Sequence, residues 1–464
     1  MLRGMAAAAG PTTVLVLGAG GDLTHRLLLP GLASLLGVEP EREVRVVGAD
    51  RLDLTAAQWQ ARVEDSFSSV DPPASATTKV VKDSSYRKTD LLDADALGEL
   101  VSSCGSGPLV IFFALPPQVS MKVCELLRQV DLPSVTRLAL EKPFGTDRES
   151  AATFNALLHR LVPEDAVFRI DHFLGVATVF NLVGLRFANR VLQPVWSAEH
   201  IERVEIVYDE DLALEGRAGY YDGAGALRDM LQSHLLQVLS LFAMESIASL
   251  DPRELQDQKA QVLRATRVWG GSPERSSRRA RYTAGELGRR SVPDYVAEEG
   301  VDPSRNTETL AQVTLEIDNA RWSGVPFVLR SGKALGTPRK QIVAHFRQVP
   351  HLPTGFEGGA EADRLLIDLK PGAVSLTLTM NAEGDPLDLE QKTLTAKLAV
   401  ARMQAYGEVL SHILDGSQLL TVRGDTAEQC WRIMEPVLTA WSADRVPLET
   451  YAAGSDGPQG WPPD

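Results

Sequence analysis

Cysteine is scarce in this chain. Cys104, Cys124 and Cys430 are the only three in 464 residues, too few and too scattered for a disulfide framework or a cysteine-based metal site. They fit buried or incidental thiols in a protein of the reducing cytoplasm, and no metal is expected. Basic charge is also in deficit: 47 Lys and Arg stand against 61 Asp and Glu, a formal net charge of −14. A nucleic-acid or anionic-membrane partner requires a basic face for counterion release, so neither is expected. No apolar run reaches the roughly 18 residues needed to span a bilayer. The opening MLRGMAAAAG lacks the bulky apolar stretch of a signal peptide. Residues 1–12 are expected to be a disordered lead, with Met5 a candidate start. The closing AAGSDGPQGWPPD holds little apolar matter, so residues 452–464 are expected to form a mobile tail.

What is present is ordinary globular material, with 44% hydrophobic and 23% charged residues. A chain of this length exceeds what one core organises, so two domains are expected. From Val14 to Gly145, near-continuous apolar runs (VLVL, VRVVGAD, LVIFFALPP, TRLALEKPFG) alternate with helical segments. That pattern indicates α/β architecture, a parallel sheet covered on both faces, over residues 13–171. After Ile201 the runs alternate in polarity, as in IERVEIVYDE, LAQVTLEID, IVAHFR and VSLTLTM. Half-buried, mainly antiparallel strands read this way. Helices from about Gly225 to Met244 and from Leu398 to Leu414 flank them, giving an α+β domain over residues 172–451. The Arg-, Ser- and Gly-rich stretch from Gly270 to Gly300 is expected to be a loop.

GAGGDL, from Gly18 to Leu23, follows the strand VLVL and precedes the helical RLLLPGLASLL. Glycine at such a turn lets backbone amides approach a pyrophosphate at a helix N-terminus, so a dinucleotide cofactor is expected. The second strand ends at Asp50 and Arg51. A carboxylate there favours the ribose hydroxyls of NAD and an arginine the extra phosphate of NADP; Arg51 tilts the choice to NADP, with NAD open. Lys142, in EKPFG, follows a strand at the end where α/β sheets bind ligands, and Pro143 holds it extended. His234 lies on the apolar stripe of its helix with Leu227, Leu231, Val238 and Phe242. A histidine suits the removal of a hydroxyl proton as hydride leaves the same carbon, and a carboxylate such as Asp171, Glu210 or Asp229 would orient it.

These motifs and their order, together with FFALPP, RIDHFLG, LRFANR, EGRAGYYDGAGALRDMLQSHLLQ, NTETLAQ, IDNARWSGVPFVLRSGKAL and GSQLLTVR, resemble the glucose-6-phosphate dehydrogenase family from about residue 13 to residue 443. The resemblance implies a Rossmann domain followed by a large antiparallel-sheet domain. It implies that His234 is the catalytic base and Asp171 its orienting carboxylate. Lys142, His172, Glu210, Asp229, Lys333 and Arg339 match substrate-binding positions. Gly18, Gly21, Asp22, Leu23, Arg51 and Lys142 match the cofactor side. The implied reaction oxidises the anomeric carbon of a glucose to the lactone, and the implied assembly is a homodimer or homotetramer.

One stretch departs from the family pattern. The signature RIDHYLGK, whose His, Tyr and Lys hold the sugar phosphate, reads RIDHFLGVA here. Phe173 lacks the phenol hydroxyl and Val176 the ammonium. Hydrogen bonds to charged groups contribute about 1.5–3 kcal/mol each, so the two losses weaken phosphate binding by roughly a hundredfold unless another cation compensates. An unphosphorylated hexose is the alternative substrate, and a non-catalytic paralogue that regulates an active dehydrogenase is the alternative role.

Overall fold

The computed structural model of the chain describes residues 11–461 apart from residue 71. The expected lead thus lies outside the described residues, except for Pro11 and for Thr12, which opens the first strand. The chain divides into two compact units: one holds the chain up to Ala177 with Ile247–Asp257 and Ala401–Glu428, the other Thr178–Ser246, Gln258–Val400 and the chain from Gln429 onward. This differs from the expected consecutive division at residue 171.

The first unit is built on β1 (Thr12–Leu17), β2 (Val44–Asp50), β3 (Ser85–Lys88), β4 (Leu109–Phe113), β5 (Thr136–Glu141) and β6 (Val167–Ile170). All six are parallel in the order β6-β5-β4-β1-β2-β3, and Thr421–Val422 adds an antiparallel edge on β6. Successive strand residues point to opposite faces. Val14, Val16, Val46, Val110 and Phe112 therefore pack with Leu32, Trp59 and Val63 on one side, while Leu15, Leu17, Val47, Ile111 and Phe113 pack with Leu97, Val123 and Leu158 on the other. Two apolar faces explain why these strands read as unbroken runs. Each large side chain so buried contributes about 1.5–3 kcal/mol. Strand order reverses between β1 and β4, which opens a crevice at their carboxyl ends, the ligand end of such sheets.

The late segment joins this unit through its own side chains. Tyr406, Val409, Leu410 and Ile413 enter the first of those clusters. The Gln256 amide donates to the carbonyls of Gln418 and Thr421, and the Asn155 amide to that of Gly424. The helix there runs Ala405–Asp415, starting seven residues later than expected, because the Leu398 N–H bonds the Gly372 carbonyl beyond the end of a strand and Gln404 is extended.

The second unit carries β7 (Ile201–Asp209), β8 (Thr266–Val268), β9 (Ser277–Thr283), β10 (Gly285–Leu287), β11 (Arg290–Val292), β12 (Leu310–Ile317), β13 (Phe327–Gly332), β14 (Lys340–Phe346), β15 (Arg364–Leu369), β16 (Gly372–Asn381) and β17 (Leu389–Lys397). With Thr421–Val422 counted as β18, the last is β19 (Leu448–Ala452). Ten of these form one sheet, in the order β17-β16-β15-β14-β7-β13-β12-β9-β19 with β8 beside β12. Its pairings are antiparallel except β7–β13 and β9–β19.

Two expectations fail here. The stretch from Gly270 to Gly300 is not a loop: it contains β9 and the β10–β11 hairpin. Its arginines belong to a strand because partners distant in sequence neutralise them, Asp444 and the Val446 carbonyl for Arg279 and Glu449 for Arg278. The segment expected to be a mobile tail is packed as far as it is described. Ala453 and Trp461 are buried, the Arg278 guanidinium lies 4.7 Å over the Trp461 ring, and the Trp461 indole donates to Glu449. One large aromatic supplies the apolar area that composition alone understates. Among the described residues no helix is long and apolar enough to cross a membrane.

Candidate active site

In the first unit the polypeptide leaves β1 through Gly18, whose φ of +85° and a Cβ position only 2.2 Å from the Ala114 carbonyl oxygen admit no side chain. The turn is held by Gly18 and Ala19 N–H groups on the Ala49 carbonyl and by Gly21 N–H on that of Gly18. The helix that follows presents Asp22, exposed and 3.3 Å from Arg26, and half-buried Leu23. Asp50, closing β2, accepts from the Gly20 N–H at 2.9 Å and the Arg51 N–H at 2.6 Å. Arg51 is exposed, its guanidinium 3.1 Å from exposed Asp90. Such a surface pair contributes little, so the guanidinium is available to a stronger anion.

β5 ends in Glu141, followed by half-buried Lys142 and a cis Lys142–Pro143 peptide. Glu141 is half-buried and accepts from the Tyr406 hydroxyl at 3.1 Å. Burial pushes its carboxyl up to about 8, against the pull of the Tyr406 hydrogen bond and Lys142, with Asp171 adding to the rise. Asp171, just past β6, is buried, and its carboxylate accepts from the Phe173 N–H at 3.0 Å, folding DHFLG into a tight turn. The His172 ring stacks on Tyr406 at 5.8 Å and meets the edge of Phe173 at 5.2 Å. Phe173 is 5% exposed, and Val176 beside it is half-buried.

In the second unit β7 and β13 run parallel and end together, Gly332 opposite Asp209. The next residues, Glu210 and Lys333, therefore emerge side by side and form an ion pair of 2.8 Å. The Lys333 ammonium also lies 5.2 Å from the Tyr221 ring centre. Behind them Asp209 is fully buried between Arg330 and Arg339, each reaching it at 3.0 Å. Arg339, expected at the sugar, is thus committed to Asp209 in this structure. Sequence reading missed Asp209 and Arg330; the available signal was a charged residue inside the apolar strand FVLRSG.

His234 is buried, but its helix is not the single α-helix expected from Gly225 to Met244. Gly225 has φ +68°, outside helical geometry, and Leu227–Leu235 is π-helical before the α-helix Leu236–Ala243 resumes. The carboxylate of Glu308 accepts from the Leu227 N–H at its start. In a π-helix hydrogen bonds run five residues back, so Asp229 and His234 share a side of the helix; in an α-helix that spacing separates them. Asp229 is half-buried and accepts from the Tyr220 hydroxyl at 3.2 Å. π-Turns concentrate at functional sites.

A parallel sheet in this strand order, with a glycine turn at its switch point, defines a dinucleotide-binding domain. Residues 15–181 match the glucose-6-phosphate dehydrogenase NAD binding domain and residues 183–461 the glucose-6-phosphate dehydrogenase C-terminal domain. The glucose-6-phosphate 1-dehydrogenase of Gluconobacter oxydans (strain 621H) is 36% identical over 469 residues, 97% of this chain and 95% of the relative. That of Treponema pallidum (strain Nichols) is 35% identical, covering 97% and 92%. A solved glucose-6-phosphate dehydrogenase in complex with its substrate glucose-6-phosphate gives a TM-score of 0.85 at 29% identity, covering 98% and 97% of the two chains. The Mycobacterium avium enzyme gives 0.83 at 30% identity, covering 97% and 96%. This chain belongs to the glucose-6-phosphate dehydrogenase family.

Proposed function

We propose that this protein oxidises the anomeric carbon of glucose 6-phosphate to 6-phosphogluconolactone, with NADP as hydride acceptor. The observation that carries the reading is the family match along both units. The cofactor reading is supported by the glycine turn that carries β1 into a helix N-terminus at the switch point of the sheet, a turn in which Gly18 can bear no side chain because the Ala114 carbonyl oxygen lies 2.2 Å from its Cβ position. The chemistry supplied by a bound NADP is hydride acceptance at the nicotinamide. His234 takes the proton of the anomeric hydroxyl, and Asp171 keeps it oriented, the roles that the resemblance implies. Lys142, Glu210, Asp229 and Lys333 hold sugar hydroxyls, with Glu210 and Lys333 held against each other at 2.8 Å. Preorganisation of this kind lowers the cost of orienting substrate. His172 serves the phosphate, with Arg339 a further matched position. Gly18, Gly21, Asp22 and Leu23 form the cofactor turn, Lys142 also borders it, and Arg51 takes the 2′-phosphate. The protein works in the cytoplasm as a homodimer or homotetramer.

A second reading, oxidation of an unphosphorylated hexose, is favoured by buried Phe173 and half-buried Val176 next to His172. Steady-state rates with glucose 6-phosphate and with glucose, each with NADP and NAD, separate the two. A higher kcat/KM for glucose 6-phosphate supports the first reading and a higher value for glucose the second. Cofactor binding without turnover of either sugar overturns both.

A further inference from the structure

The loop that follows β13 is laced to a segment more than a hundred residues away. The Tyr451 hydroxyl donates to the Lys333 carbonyl at 2.7 Å, and the Gly454 N–H to the Ala334 carbonyl at 2.8 Å. In return the Gly336 N–H bonds the Ser455 carbonyl at 2.9 Å and the Thr337 N–H the Asp456 carboxylate at 3.0 Å. A Cβ on Gly336 would come within 2.2 Å of the Gly454 carbonyl oxygen, so the two backbones are in direct contact. Ala334, next to Lys333, has φ +54°, a left-handed conformation that a non-glycine residue keeps only when its surroundings over-determine it. Arg330 ties the same segment to the strand ends: it donates to the carbonyls of Trp461 at 2.7 Å and Asp456 at 2.9 Å while its Nε meets Asp209, the neighbour of Glu210.

We propose that Tyr451–Trp461 is a clamp that positions Lys333 and Glu210 for the sugar, with Arg330 the positioning residue that joins clamp to site. The proposal rests on the sugar-binding reading of those two residues. Without the clamp the Ala334 turn relaxes and carries the Lys333 ammonium away from its place beside Glu210. Ground-state binding of sugar then weakens, while the cofactor turn and the proton acceptor are untouched.

The test uses the full chain with Tyr451→Phe, which is isosteric, and Asp456→Ala, which lies at the exposed end of the clamp. Two readouts are taken: kinetics with glucose 6-phosphate and NADP, and deuterium uptake of the peptide covering residues 333–339. The expected result is a KM for sugar raised about tenfold, kcat and the KM for NADP within about twofold, and faster uptake in that peptide alone. A sugar KM within twofold of wild type despite faster uptake overturns the positioning role, and unchanged uptake overturns the clamp. Parallel losses in kcat and both KM values mean general destabilisation and also overturn it. A wild-type protein that oxidises no aldose removes the sugar reading itself; the uptake arm then still decides whether the clamp exists.

Discussion

Parallel strands end in polar residues in both units, but the two ends handle charge differently. At the ends of β7 and β13, charge is supplied and matched: Glu210 with Lys333, and Asp209 with Arg330 and Arg339. The ends of β5 and β6 also carry charge, in Glu141, Lys142 and Asp171, but Phe173 and Val176 just beyond them carry none. Glu141 is half-buried against the Tyr406 phenol, and the His172 ring meets Tyr406 and Phe173, with Val176 close in sequence. A ring of hydroxyls and a dianionic phosphate ask for opposite things, hydrogen bonds in one case and cations in the other. The first end pairs Glu210 with Lys333 and commits Arg339 to Asp209. The second has Phe173 and Val176 where the resemblance implies a phenol hydroxyl and an ammonium, so the two ends differ in how well they suit a phosphorylated sugar.

The largest effect should come from the proton acceptor. His234→Asn keeps a polar side chain of similar breadth on the π-turn but removes a base, and kcat should fall at least about a hundredfold, since general bases contribute roughly a hundredfold to ten-thousandfold. Rapid-mixing measurement of reduced cofactor is the check. Turnover within about tenfold of wild type would remove His234 from the role and, with it, the ground for treating the second unit as the reacting side.

The outline of this site was legible in the sequence, although its wiring was not. Strands of the first unit are buried on two faces, so LVIFF and VLVL announce themselves, and GAGGDL between strand and helix announces the turn. The π-turn around His234 leaves no local mark: LRDMLQSHL reads as an ordinary amphipathic helix, and only the structure shows the extra residue in the turn that brings Asp229 to the side of His234. Arg278 and Arg279 read as loop because their partners, Glu449 and Asp444, lie far along the chain. The return of Ala401–Glu428 to the first unit is hidden for the same reason, since the apolar stripe of its helix does not say which cluster it enters.

Adding charge just beyond β6 sharpens the comparison. Val176→Lys places an ammonium on a half-buried position beside the His172 turn, and a new charge-assisted contact to a phosphate should lower the KM for glucose 6-phosphate by about tenfold with the KM for glucose unchanged. Phe173→Tyr should add less on its own, because the ring is buried and its new hydroxyl must find a partner there. If Val176→Lys changes neither KM, the phosphate is bound elsewhere. A smaller effect is expected at the cofactor: Arg51→Ala should raise the KM for NADP about three- to tenfold and leave that for NAD within twofold, because the exposed Asp90 pair that Arg51 gives up is weak. Equal losses for both cofactors would show that Arg51 reads no phosphate.

The smallest expected effect concerns stability rather than turnover, and its sign is fixed by Glu141. Its carboxyl is raised from an ordinary 4.5 to about 8, chiefly by burial, with the Tyr406 hydroxyl and Lys142 opposing and Asp171 adding. Between those two values the folded protein holds a proton that the unfolded chain has released. The contribution of this group to stability is therefore intact below about pH 4.5, declines as pH rises, and reaches its full cost above about pH 8. Glu141→Gln keeps the shape and cannot ionise. Its Tm relative to wild type should be near zero at pH 5 and higher by on the order of a few degrees at pH 9. Thermal unfolding of both proteins at the two values is the measurement. A relative Tm that is flat or falls with pH would mean that Glu141 is charged in the folded state, and the contrast between the ion-paired end of β7 and β13 and a proton-bearing carboxyl at the end of β5 would be lost.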